Sequence, residues 1–166
     1  LRFQQVELST IDTALLMAGA LSCQSYFTGA DPQETEIRQT VDRLYRRVEW
    51  PWAMVRPDRI CMGWTPEQGF ISYDWTGYME GMVLLAVALG SPSHPVPASV
   101  WPEYTRTQVW ASFQGQEHVA FGPLFGHQFS HAWIDFRGIR DTYMAAKGID
   151  YAENTRRATY AQRAYA

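Results

Sequence analysis

Tyr78-Met-Glu80-Gly-Met-Val-Leu-Leu-Ala-Val-Ala-Leu89-Gly90 is apolar at nearly every position, with one carboxylate near its start and a glycine at its end. Such a run has no polar face to turn to solvent, so it predicts a helix over 78–89 that is buried all round and closed by Gly90. Its longest apolar stretch, Gly81 to Gly90, is about half of the ~20 residues that span a bilayer, which makes it a core segment and not a membrane insertion. Downstream, Ser91-Pro-Ser-His-Pro-Val-Pro97 is a stiff connector. Beyond it the pattern predicts a helix over 98–113, a glycine-bearing loop through Gly122, a helix over 123–136, a short one over 139–146 and a last from Asp150 onward. Upstream, prolines and glycines break up residues 50–75, a long functional loop in which 59–63 and 69–73 are expected to pair as a small hairpin. Before that, Asp31-Pro32 with Glu34 opens a helix whose Ile37, Val41, Leu44 and Tyr45 recur at helical spacing to Val48, with charge on the other face. Ser9 caps a further helix to Phe27, where Ile11, Leu15, Leu16, Leu21, Tyr26 and Phe27 stand among small residues in the pattern of a buried helix. Helices alternating between buried and half-exposed, joined by aromatic-rich loops, predict an all-α array of paired helices.

The 166 residues amount to one domain, and 46% of them are hydrophobic, enough for a sizeable core. Fourteen basic against 17 acidic residues leave a net charge of -3 with no basic stripe, which removes nucleic acid from the partners to consider. Aromatic residues make up 14%, with seven Trp and nine Tyr, more than packing needs and typical of surfaces that stack sugar rings. Cys23 and Cys61 are too few for a disulfide framework or a cysteine-rich metal site. Leu1 is no initiator, and 154–166 runs in helix formers without a stop, so the chain reads as a piece of a larger domain.

Four segments carry candidate chemistry. In Glu7-Leu-Ser-Thr-Ile-Asp12 the Ser9–Asp12 spacing is that of a helix cap, and the alternative is a carboxylate at the mouth of a cleft. In Trp64 through Glu80, acids and aromatics interleave. Apolar neighbours around Glu80 are expected to raise its pKa, as a general acid requires, whereas a helix-dipole role is the structural alternative. His127 and His131 are i and i+4, but Gln128 stands where a zincin has Glu. Polar contacts to a ligand from His127, Gln128, His131 and Asp135, or a core network among them, therefore outweigh zinc. Last, Asp150 and Glu153 have capping-box spacing, and Glu153 gains a further role only if it faces Glu80.

Together these segments resemble the bacterial glucoamylase-like family, which includes β-1,2-glucanases and the transglycosylating domain of cyclic β-1,2-glucan synthases. The resemblance runs through Glu7-Leu-Ser-Thr-Ile-Asp-Thr-Ala-Leu-Leu16, Leu44-Tyr-Arg-Arg-Val-Glu-Trp50, Gly63-Trp-Thr-Pro-Glu-Gln-Gly-Phe70, Trp75-Thr-Gly-Tyr-Met-Glu80, Ala88-Leu-Gly-Ser-Pro-Ser-His-Pro95, Gly122 to Gly138 and Gly148 to Thr159. It implies an (α/α)₆ barrel, of which residues 1–166 are the central portion of one incomplete catalytic domain. It also implies a glycoside hydrolase or transglycosylase acting on a bacterial β-glucan, β-1,2-linked first of all, with two carboxylates and neither metal nor cofactor. Carried over, Glu80 protonates the leaving glycosidic oxygen, and Asp12 falls on an acidic position of the cleft. Glu153 matches the segment expected to hold a nucleophile in the synthase-like branch, which tilts the expectation towards retention with Asp12 orienting substrate, although Ala152 replaces the aromatic residue expected before it. A nucleophile requires ~5 Å between the carboxyl groups, whereas an inverting site leaves ~6.5–9.5 Å for water. Trp64, Trp75, Tyr78 and Trp133 are the implied stacking faces, and His127, Gln128, His131, Asp135 and Arg137 bind hydroxyls. The family places such proteins on the periplasmic or extracytoplasmic side. A non-catalytic carbohydrate-binding or scaffold fragment is the competing class, separated from the enzyme by turnover.

Overall fold

The computed structural model describes residues 6–166, of which about half are helical and a few lie in short strands. They form two compact units: the residues up to Trp75 with Val83–Val100, and Thr76–Met82 with Trp101–Ala166.

In the first unit, Ser9 caps α1 (Thr10–Tyr26), its hydroxyl accepting from the Asp12 amide at 3.2 Å. Just inside the cap, Thr10 fastens the helix to the segment 60–75. Its amide donates to Met62 O, its hydroxyl donates to Cys61 O at 2.8 Å and lies 3.0 Å from Met62 O, and that hydroxyl accepts the Trp75 indole N–H at 2.9 Å. The buried face of α1 is narrower than its sequence predicts. It consists of Thr10, Ala14, Met17 and Ala18, while Leu16 and Tyr26 are 66% and 80% exposed, because the small residues allow close approach along one line only. α2 (Pro32–Arg46) is capped by Asp31 through the Gln33 amide. Glu34 does not reach back to the cap but accepts from Gly29 N, and Tyr45 donates to Val87 O at 2.6 Å. Residues 59–63 and 69–73 do pair, with Met62 N donating to Tyr73 O and Trp75 N to Ile60 O. The regular strands within them are β2 (Gly63–Thr65) and β3 (Gly69–Phe70), and β1 (Leu8–Ser9) adds antiparallel to β2 as an unforeseen third strand. α3 (Gly81–Leu89) is buried as expected, with Met82, Val83, Leu84 and Leu85 no more than 1% exposed.

The second unit departs more from the pattern. The helix expected over 98–113 stops as α4 (Val100–Arg106), and its remainder holds β4 (Trp110–Phe113), which pairs as a hairpin with β5 (Gln116–Val119) from the expected loop. Gln114 and Gly115 both take positive φ at its two-residue turn, the twist that suits antiparallel strands, and the aromatic residues before it favour extended backbone. The helix expected over 123–136 is likewise broken into α5 (Phe125–Gln128), a 3₁₀ turn over Phe129–Ala132 and irregular chain beyond. Here Phe121 lies against Gly126, where a Cβ would come within 2.1 Å of its ring, and the bends this packing needs override weak helical periodicity. α6 (Thr142–Ala146) is capped by Asp141, and α7 (Tyr151–Tyr165) by Asp150. α7 packs on β5, where buried Asn154 accepts the Val119 amide at 2.8 Å.

Candidate active site

The turn leading into α3 is anchored by buried side chains of the second unit. Tyr78 is 1% exposed, its ring 4.9 Å from that of His127 and nearly parallel to Tyr151. Burial, the dominant cause, pushes the Tyr78 phenol up to about 12, so it stays neutral. The Tyr104 hydroxyl meets both the amide and the carbonyl of Met79 at 3.3 Å, and fully buried Ser130 donates to Glu80 O at 3.0 Å. The Glu80 backbone is thus pinned by groups that cannot move without breaking a buried hydrogen bond, while its side chain is half-buried. Glu80 precedes α3 and does not sit within its first turn.

Around it, 127–137 divides into an inner and an outer part. His127 is wholly buried, so it is a core residue and not a hydroxyl-binding one; its Nε2 faces Phe121 O at 3.2 Å and therefore donates. Burial lowers its pKa to about 4 against the opposing pull of that carbonyl. His131 is half-buried, its ring 4.6 Å from Phe136 and its Nε2 2.9 Å from Thr155 Oγ1. Burial lowers its pKa too, and Asp135 and Asp150 counter that effect. The segment 131–137 lines a shallow cleft of about 460 Å³. Trp133 is 39% exposed beside it, and Arg137 grips Asp135 through two hydrogen bonds of 2.8 and 2.6 Å, holding that carboxyl at about 2. Gln128 is exposed, within 3.4 Å of Thr159.

The remaining expected site residues are dispersed. Glu153 starts α7 with its amide bonded to Asp150, and its carboxylate takes hydrogen bonds of 2.6 to 2.8 Å from Arg156 and Arg157, which hold it at about 2. Asp12 is exposed on the first turn of α1, in the first unit. Trp75 in that unit is buried and bonded to Thr10, and Tyr78 is buried in the other. Neither ring has a face to offer a sugar, because both complete the core. Trp64 stays half-exposed, paired with Phe70 across the hairpin and edge-on to Trp52. Sequence reading missed Thr155, and it missed Asp141, which accepts from the Trp101 indole at 2.7 Å and the Tyr151 hydroxyl at 2.6 Å while capping α6. The cap spacing of Asp141-Thr-Tyr-Met144 was the only available signal for it. Among the described residues, no three His, Cys, Asp or Glu side chains stand together in a way that holds a metal ion, and no helix is long and apolar enough to cross a membrane.

The second unit thus holds a glutamate anchored through its backbone and a cleft edged by Trp133, His131 and the Asp135–Arg137 pair, a flat ring beside hydrogen-bonding groups. The chain belongs to the Glycoamylase family, described as "Putative glucoamylase", which it matches over residues 72–166. It is 27% identical over 94 residues to an exo β-1,2-glucooligosaccharide sophorohydrolase (non-reducing end) of Parabacteroides distasonis, across 55% of this chain and 13% of that protein. A crystal structure from Bacteroides caccae, of the same description as the family, superposes with a TM-score of 0.84 at 29% identity over 95% of this chain and 40% of the other. The fold is shared too with an endo-β-1,2-glucanase of Chitinophaga pinensis, at a TM-score of 0.80 and 24% identity over 90% of this chain and 38% of that one. The chain therefore spans well under half the length of these relatives.

Proposed function

We propose that the chain is the central part of an (α/α)₆-barrel catalytic domain of a glycoside hydrolase that acts on β-1,2-linked glucan, with Glu80 as general acid. The observation that carries this is the anchorage of Glu80: Ser130 and Tyr104 hold the backbone of 79–80 from buried positions while the carboxyl side chain stays half-buried. A proton donor has to be held in one geometry against the glycosidic oxygen, and a half-buried glutamate on a backbone-anchored turn meets that need. The β-1,2 linkage comes from the relative whose name carries it. Trp133, Gln128, His131, Asp135 and Arg137 are the proposed contacts to sugar in the second unit.

Asp12 and Glu153 compete for the second carboxylate. Glu153 is ionised, as a nucleophile must be, but both of its oxygens are committed to arginines and its basicity is correspondingly low. Asp12 carries no such clamp and stays the other candidate, inversion at the anomeric carbon going with Asp12 and retention with Glu153. In the full-length protein, Glu80→Gln is expected to lower turnover of a β-1,2-glucan by ~10²–10⁴-fold with binding retained. Whichever of Asp12→Asn and Glu153→Gln does the same identifies the second carboxylate, the other staying within a few-fold of the parent. Reducing-end assays with proton NMR of the first-formed anomer check all three. Glu80→Gln with parental turnover sinks the acid assignment, and a retained anomer with an inactive Glu153→Gln gives the second role to Glu153.

A further inference from the structure

Thr155 lies on the inner side of α7 with its hydroxyl oxygen 2.7 Å from His127 O and 2.9 Å from His131 Nε2. A threonine hydroxyl has one proton, and a carbonyl oxygen can only accept. The proton is therefore given to His127 O, and the contact with His131 is a hydrogen bond only if Nε2 carries the hydrogen. The imidazole packs against the tilted ring of Phe136 and sits in the segment that lines the cleft beside Trp133 and the Asp135–Arg137 pair. A neutral ring with hydrogen on Nε2 has Nδ1 as an acceptor, and a neutral ring with hydrogen on Nδ1 has a donor there instead. Which one the ring presents decides whether it takes a hydrogen bond from a sugar hydroxyl or gives one.

We infer that Thr155 is a positioning residue: by spending its only proton on the His127 carbonyl, it fixes neutral His131 as the Nε2–H tautomer and leaves Nδ1 to accept from a hydroxyl of the ligand. The identity of that ligand as a glucan rests on the glycosidase reading above; the tautomer does not. Neither residue touches the bond that is cleaved in this scheme. Thr155 acts through His131, and His131 acts on the orientation of the sugar.

The test uses the full-length protein labelled with ¹⁵N-histidine, in which His94, His118, His127 and His131 are the signals of this segment. Long-range ¹H–¹⁵N correlation, at a pH where the imidazoles are neutral, is expected to show His131 with protonated Nε2 and bare Nδ1. His131→Gln identifies the resonance. Thr155→Val keeps the side-chain shape but removes the hydroxyl, and should convert His131 to a mixture of tautomers, with Thr155→Ser restoring the single form. Thr155→Val should also raise the KM for a β-1,2-gluco-oligosaccharide by about two- to tenfold, the worth of one hydrogen bond, with kcat within about twofold. Protonated Nδ1 in the parent overturns the inference, and so does an unchanged tautomer in a folded Thr155→Val protein. If Thr155→Val does not fold, the parent and Thr155→Ser spectra decide, since both must show the Nε2–H form. A tautomer that shifts with no change in KM removes the positioning role. Spectra as expected together with no glucan hydrolysis by the full-length protein refute the glycosidase reading while leaving the tautomer assignment in place.

Discussion

His127 is a histidine with no route to water, and its titration has a sign that can be measured. Burial lowers its folded pKa from 6.5 to about 4, with small further contributions from His118 and His131 and an opposing one from Phe121 O. The unfolded chain takes up this proton near pH 6.5 and the folded chain only near 4, so the stability gained by keeping the ring neutral is complete above the upper value and is lost as pH falls towards the lower one. The full loss is roughly 3 kcal/mol. Thermal unfolding followed from pH 7 to 4 should show the midpoint falling across that window, and a flat midpoint would mean that the ring protonates in place. Glu153 titrates elsewhere. Arg156 and then Arg157 depress its pKa to about 2, so its contribution is present above the ordinary Glu range and is lost only as pH falls below it, and the two effects separate along the pH axis.

At the scale of elements, single buried polar side chains join pieces whose periodicities are unrelated. Asn154 ties α7 to β5 through the Val119 amide. Asn154→Ala strands that buried donor, so it should cost ~1–3 kcal/mol in urea unfolding; a cost within ~0.5 kcal/mol would show the amide finding another partner. Thr10 does the corresponding work for α1, and Thr10→Val should lose a similar amount because the Trp75 indole loses its acceptor as well. These joints also explain what the sequence made legible. α1, α2, α3 and α7 were readable because Ser9, Asp31, Asp150 and the run 81–89 are local signals. β1 was not, because two residues carry no period and its partner lies at 63–64. The broken helices after 106 and 128 were hidden for a related reason: Trp110, Phe113, Phe121 and Phe125 look the same in a helix as in a hairpin, and tertiary packing decides between them. Of the candidate site, the 127–137 segment was visible as a cluster of chemistry, but its division into buried His127 and cleft-lining His131 was not, since burial is not encoded in spacing.

At the scale of the whole molecule, the chain passes between its two compact units three times, at 75–76, 82–83 and 100–101. The seven-residue visit that carries Tyr78 and Glu80 supplies the ring that stacks on His127 and the carbonyl that Ser130 holds. A fragment of residues 101–166 should therefore lack a cooperative thermal transition by circular dichroism, since Tyr104, His127 and Ser130 lose the partners that fill and satisfy their centre. A sharp transition in that fragment would show that 76–82 is dispensable to the unit. The interleaving bears on inheritance as well as on folding. A single recombination event between residues 82 and 127 gives a chimera whose 127–137 segment comes from one parent and whose Tyr78–Glu80 turn comes from the other. Sequence change at 76–82 must accordingly travel with change more than forty residues away, so the two segments are expected to drift together in descendants of this gene.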